Sequence, residues 1–328
     1  MAACVALIAA CVAALPTGAA ETAWTPWQKI TGVVDVGARA DGTLVVMAAG
    51  KLFSVSPSGA LSSFAQSSDG YVAGSADAES YFVIVPGALT TDASGCSFND
   101  GDLFLLDLTT PPGIVRVEPS GHATRFAMLT GVDTLGGIAI DTTGSFAHRL
   151  LVTGSHNNQT TVFAIDCHGA STVLTDSAPP LEGGIAVAPS TFGQFAGDLI
   201  APDENTGQMW AIDPSGAATL MSTPNLPTGG DTGVESVGFV PRGFTLGGSA
   251  YLADRGTPNN PFPGTDSLLR LAAADLVGAG VQDGDLLVST EGGGTTVAIH
   301  CEATCSVVEV AQGTPGGHIE GHILAVAN

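Results

Sequence analysis

Short alternating apolar segments, each only a few residues long, recur along the whole chain, and no long stretch keeps a helical period. One turn comes back behind them. Val55-Ser56-Pro57-Ser58-Gly59, Val117-Glu118-Pro119-Ser120-Gly121 and Ile212-Asp213-Pro214-Ser215-Gly216 share a Pro-Ser-Gly core. Ile165-Asp166-Cys167-His168-Gly169 is the same turn with Cys in place of Pro, and Ile299-His300-Cys301 is a further relative. Proline presets φ and glycine accepts positive φ, so these predict hairpin turns. Each follows a strand pattern, from Leu52–Val55 to Val297–Ile299, and a second apolar segment lies upstream of it.

Equivalent turn positions are 62, 48, 47 and 87 residues apart, and the clean period near 47 is the length of one propeller blade. The 62-residue gap predicts one blade with an insertion around Thr90–Gly101. The 87-residue gap predicts two blades, with a degenerate turn near Ala272–Asp275. The expected fold is therefore all-β: a single β-propeller of six blades, or of five if the last blade carries an insertion from Arg255 to Asp283. Gly137–Ile140, Gly184–Val187, Ser236–Phe239 and His322–Val326 read as innermost strands. The last has no blade after it, so the C-terminal strand is expected to close the ring and hide an edge.

Composition narrows the function classes. With 45% hydrophobic and 12% charged residues the chain has the material for a large core and is not a disordered segment. Nine Lys+Arg against 31 Asp+Glu give a net charge of -22, which repels nucleic acid and anionic membranes and attracts cations. Cys4–Leu15 is an apolar run too short to span a bilayer, and Gly18-Ala19-Ala20 offers small residues for cleavage before Glu21. This predicts a secretion signal over residues 1–20, a lead-in over 21–31 and the propeller over 32–328; lipid anchoring at Cys11 is the competing reading. The four cysteines beyond the signal, Cys96, Cys167, Cys301 and Cys305, are even in number and suit disulfides in an oxidising compartment, with Cys301 and Cys305 placed to clip a hairpin.

Asp41-Gly42-Thr43-Leu44-Val45-Val46, followed by Lys51–Gly59, resembles the NHL-repeat, gluconolactonase and virginiamycin B lyase group of propellers over most of residues 32–328. That group includes lactonases, other hydrolases, lyases and pure binding modules, so the resemblance does not choose an activity. It implies a site at one mouth of the central channel, where gluconolactonase-like enzymes place a metal-binding Glu at a Glu-Gly step. Glu182 and Glu320 match that step, and Glu235 occupies the same place with Ser after it. These three are the candidate metal ligands. The family's Asn and Asp ligands have no counterparts in recognisable order.

Gly317-His318-Ile319-Glu320-Gly321-His322 is the densest group of metal-ligating types, and in an unbroken strand positions 318, 320 and 322 share one face. His318 and His322 are therefore the candidate catalytic or ligating imidazoles. His156, Asn157, Asp203, Glu204, Asn205, Asp254 and Glu291 lie in equivalent loops of successive blades and are the candidate ligand-binding residues. The expected cofactor is a divalent cation, calcium or zinc. Two functions stay open: a metal-dependent hydrolase or lactonase of a small oxygen-rich molecule, and a non-catalytic extracellular propeller that binds a small molecule, glycan, protein or ion.

Overall fold

A computed structural model describes residues 22–91 and 95–328; the expected signal and Cys11 lie outside them. Six four-stranded antiparallel sheets form the blades of a propeller, as the turn period predicts. From the channel outward, blade 1 is Val33–Ala38, Leu44–Ala48, Lys51–Val55 and Leu61–Ser63. Blade 2 is Phe82–Ile84, Leu103–Asp107, Gly113–Val117 and Ala123–Met128, and its predicted insertion is a small hairpin, Leu89–Thr90 against Ser97–Phe98. Blade 3 is Thr134–Ile140, Leu150–His156, Gln159–Ile165 and Ser171–Ala178. Blade 4 is Ala186–Val187, Leu199–Asp203, Gln208–Ile212 and Ala218–Ser222.

The last two blades are interleaved. Blade 5 is Val234–Phe239, Leu286–Thr290, Thr296–Cys301 and Cys305–Ala311. Between its first and second strands the chain leaves to build Gly248–Asp254 and Ser267–Ala272, the middle strands of blade 6. Ile319–Ala327 then supplies the innermost strand of blade 6 and Thr25–Lys29 the outermost. The ring thus closes on the C-terminal strand, as expected. The stretch expected as a lead-in contributes a strand of its own. The degenerate turn expected near Ala272–Asp275 is instead a short helix, Ala273–Gly278. No outer hairpin is needed there, because the outermost strand of blade 6 comes from the other end of the chain. A sequential reading of the repeat could not show this.

The recurrent turns form as their residues dictate. Gly59, Gly121, Gly169 and Gly216 all adopt positive φ, between 82° and 91°. Their N–H groups donate back to Ser56, Glu118, Asp166 and Asp213 carbonyls at 2.8–2.9 Å. The core lies between blades, as six apolar layers, one for each neighbouring pair. Two disulfides form: Cys301–Cys305 clips the outer hairpin of blade 5, as its spacing suggested, and Cys96–Cys167, a pairing the sequence left open, ties the blade 2 insertion to the outer turn of blade 3. Closing a loop of 71 residues contributes about 4 kcal/mol through the unfolded state. Among the described residues no helix is long and apolar enough to cross a membrane.

The innermost strands approach so closely that side chains are excluded at several points. A Cβ on Gly184 of blade 4 would stand 2.5 Å from the Gly321 carbonyl oxygen of blade 6. Gly321 itself has φ +66°, and its Cβ would meet the Val34 carbonyl of blade 1 at 2.5 Å. The channel is thereby closed below one mouth, which leaves a cup.

Candidate functional site: an acidic mouth over a sealed channel

Residues that end second strands or precede innermost strands converge on this cup. Glu79, Tyr81, Glu182, Glu204, Asp231, Glu235, Glu291 and Glu320 line a cavity of about 250 Å³. The structure thus brings the three candidate metal carboxylates, Glu182, Glu235 and Glu320, into one space. Seven carboxyl groups meet there, and Arg255 is the ion-paired guanidinium among them: its Nη1 donates to Glu79 at 2.5 Å and to Glu320 at 3.0 Å.

Tyr81 bridges two of the acids. Its hydroxyl lies 2.8 Å from Glu235 Oε1 and 2.6 Å from Glu320 Oε2. One hydroxyl hydrogen cannot serve two acceptors, so the trio must hold an additional proton. The environments say where. Burial pushes Glu235 well above the usual carboxylate range, and the charges of Glu320 and Glu291 add to it. Burial also opposes ionisation of Glu320, but the hydrogen bond from His318, the Arg255 charge and Tyr81 outweigh it and hold Glu320 below its ordinary value. Tyr81 therefore donates to ionised Glu320 and accepts from protonated Glu235.

His318 faces the same group. Its Nε2 is 3.1 Å from Glu291 Oε1 and 3.2 Å from Glu320 Oε1, and its ring is 3% exposed. Asp231, Glu291 and His318 each offer a ligand atom within 4.8 Å of the others, a spread that one ion with bonds of about 2.0–2.5 Å spans. Two buried polar atoms beside them, Glu204 Oε1 and His318 Nδ1, have no hydrogen-bond partner among the described residues. Burial, then the adjoining Glu204 carboxyl and the Glu320 charge, push Glu291 up to about 10. Burial and Glu320 raise Glu79 to about 7, against the opposing pull of Arg255. Burial raises Glu182 too, with Glu204 and Glu320 adding. Such a set holds its negative charge only when protons or a cation compensate it.

His322 does not reach the mouth. Gly321 takes a left-handed conformation, and the pairing with Gly248–Asp254 slips between Tyr251 and Ala253, so the alternation expected over positions 318, 320 and 322 is broken. Instead, His322 Nδ1 sits 3.1 Å from both oxygens of Asp35, and Nε2 sits 3.0 Å from the Ile138 carbonyl. Both nitrogens face acceptors. Burial opposes the charge, but Asp35 and the carbonyls prevail and raise the ring's pKa. This imidazolium ties blades 6, 1 and 3 together at the floor of the cup.

The other predicted residues divide. Glu291 and Glu204 line the mouth. His156, Asn157 and Asn205, with Glu204 and Glu182, line an adjoining cleft of about 280 Å³, where exposed His156 is paired with Asp133 at 3.0 Å. Asp203 ends its strand buried, and its Oδ1 caps the following turn through the Thr206 N–H. Asp254 is also a buried structural hub: it accepts from Thr265 N–H and hydroxyl, the Thr314 hydroxyl and the His318 N–H. Neither carboxylate is brought into the cavity. Glu79, Tyr81 and Asp231 belong to the site without having been singled out from sequence. The Glu79-Ser80-Tyr81 step precedes an innermost strand just as Glu182 does, but that strand is only three residues long and its blade departs from the period. Asp231 hides in a Gly-rich stretch that reads as a turn.

No family model matches the chain, and no curated protein matches it. Solved structures do. A protein of unknown function from Bacteroides caccae is 14% identical, with 90% of this chain and 87% of that one covered and a TM-score of 0.51. Virginiamycin B lyase from Staphylococcus aureus is 13% identical over 85% of this chain and 70% of its own, with a TM-score of 0.48. A gluconolactonase-like protein is 12% identical over 78% and 92%, with a TM-score of 0.37. The first of these shows a shared fold, and identities this low say nothing about activity. The chain is a six-bladed β-propeller with an acidic mouth.

Proposed function

We propose that the mouth binds one divalent cation through Asp231, Glu291 and His318, and that the protein is a secreted, metal-dependent hydrolase of small uncharged lactones or esters. The observation that carries this reading is the clustering of those three ligand atoms within 4.8 Å inside a ring of under-compensated carboxyl groups. One imidazole with carboxylates suits zinc or manganese better than calcium, which favours oxygen alone. When bound, such an ion polarises a carbonyl oxygen and acidifies water.

The chain's own groups supply the rest. Glu79 stands half exposed at the rim, and its pKa near 7 suits it to take a proton from an attacking water. Arg255 keeps Glu79 and Glu320 in place from one side. Glu235, kept neutral behind Tyr81, adds no further negative charge to the cup. A cavity of about 250 Å³ admits only a small molecule, and its field disfavours anions. The N-terminal apolar run and the two disulfides support an extracellular setting. The test is hydrolysis of a panel of small lactones and aryl esters by chelator-treated and zinc- or manganese-reloaded protein. Turnover should need the ion and should fall at least tenfold in Glu79→Gln. Equal turnover with and without metal would refute the reading.

A further inference from the structure

The opposite end of the molecule gathers positive charge, two arginines against one aspartate. Between blades 1 and 6, on the face away from the mouth, lies a cleft of about 520 Å³ lined by Arg39, Arg270, Ser249, Tyr251 and Asp41 among others. In a chain with nine Lys+Arg against 31 Asp+Glu, two arginines share this one cleft. Among the described residues neither has a carboxylate within the 4.0 Å of an ion pair, whereas Arg116, Arg125 and Arg255 all do. Asp41 has an oxygen engaged by the Thr43 N–H at 2.9 Å.

The two guanidiniums are held in place yet keep donors to spare. Arg270 stacks against Trp27 and Tyr251, at 5.5 and 5.9 Å from their ring centres. Its Nε and Nη2 both donate to Ser249 Oγ, at 3.0 and 2.8 Å, which leaves Nη1 without an acceptor among the described residues. Arg39 lies over the Phe64 ring at 4.4 Å, and its Nε is buried with no hydrogen-bond partner among the described residues. Burial also pulls the Arg39 guanidinium below its ordinary pKa, against the opposing Asp41 charge. Fixed guanidiniums with unused N–H groups match the planar oxygens of a carboxylate or phosphate. Pro57 and Tyr251 offer apolar surface for the body of such a molecule.

We propose that this cleft is a second binding site, separate from the mouth, for a small organic oxyanion: a carboxylate or phosphate group held by Arg39 and Arg270, with an apolar body against Tyr251. Titration calorimetry at fixed ionic strength tests it, with benzoate and inorganic phosphate as probes on the intact chain. At least one probe should bind, and Arg39→Gln and Arg270→Gln should each weaken it by roughly tenfold. Arg270→Lys, which keeps the charge but loses the fork, should weaken it less than Arg270→Gln. Glu291→Gln, at the other face, should leave binding unchanged. Binding of benzoate alone assigns the site to organic carboxylates, and binding of phosphate assigns it to phosphoryl groups. Melting temperatures of the variants confirm that each is folded. Absence of heat with both probes overturns the proposal, as does wild-type affinity in folded Arg39→Gln and Arg270→Gln.

Discussion

The floor and the mouth of the same cup use carboxylates in opposite ways. At the floor, Asp35 accepts from the N–H groups of Val36, Phe82 and His322 at 2.8–3.0 Å and from the His322 ring. Its charge is matched by one imidazolium and its lone pairs are used. A few residues away, the mouth gathers seven carboxyl groups around Arg255 and His318, with Glu204 Oε1 left unpartnered. The floor is a finished structural joint. The mouth is incomplete as protein alone, and that difference separates an acid that holds the fold from one kept for a ligand.

The largest effect that tests this contrast is at the floor. Asp35→Ala leaves the His322 imidazolium buried and unpaired, and should cost about 3–5 kcal/mol. The melting temperature should then fall by roughly 10 °C. Glu235→Gln, just above it, replaces a neutral acid by a neutral amide and should leave the metal-free protein as stable as wild type. Thermal melts of the two variants side by side decide; equal losses would erase the distinction. Gly184→Ala comes next. Its Cβ would press on the Gly321 carbonyl at 2.5 Å, and overpacking between inner strands should cost about 1–3 kcal/mol. A neutral outcome in denaturant unfolding would show that the cup is not sealed as described.

A smaller effect comes with pH. Glu79, Glu182, Glu235 and Glu291 bind their protons more tightly folded than unfolded. Their contribution is full below the unfolded value of about 4.3 and is lost as pH rises through the folded values. Those are about 7 for Glu79 and about 10 for Glu291. Glu320 runs the other way, stabilising above the unfolded value and losing its contribution in acid. The loss at Glu320 falls in acid, outside this range. His322, whose pKa is also raised, loses its stabilising charge in the same direction as the four. Metal-free protein should therefore melt at a lower temperature at pH 9 than at pH 6. Adding a divalent ion should shrink the difference. A metal-free melting temperature that rises over this range would contradict the assignment of excess protons to the mouth.

Much of the fold was legible because it is written in turns. Pro-Ser-Gly and Asp-Cys-His-Gly each name a hairpin by local chemistry alone, and their spacing gives the blade length and narrows the count to five or six. The interleaving of blades 5 and 6 was not legible, since strand pairing between Val234–Phe239 and Leu286–Thr290 is a long-range choice that no local pattern records. Glu182, Glu204, Glu235, Glu291 and Glu320 were found from their place before or after strands, and His318 from the density of ligating residue types around it. His322 was misplaced because period-2 alternation ignores a left-handed glycine. Asp203 and Asp254 look like the mouth acids in sequence, and only their hydrogen bonds identify them as caps and hubs.

The central claim is that the mouth is completed by a cation. Calorimetric titration of chelator-treated protein with zinc at pH 8 tests it most directly. One ion per chain should bind, protons should be released in step with binding, and Glu291→Gln should weaken binding at least tenfold. No binding heat, or an isotherm unchanged in Glu291→Gln, would contradict the account.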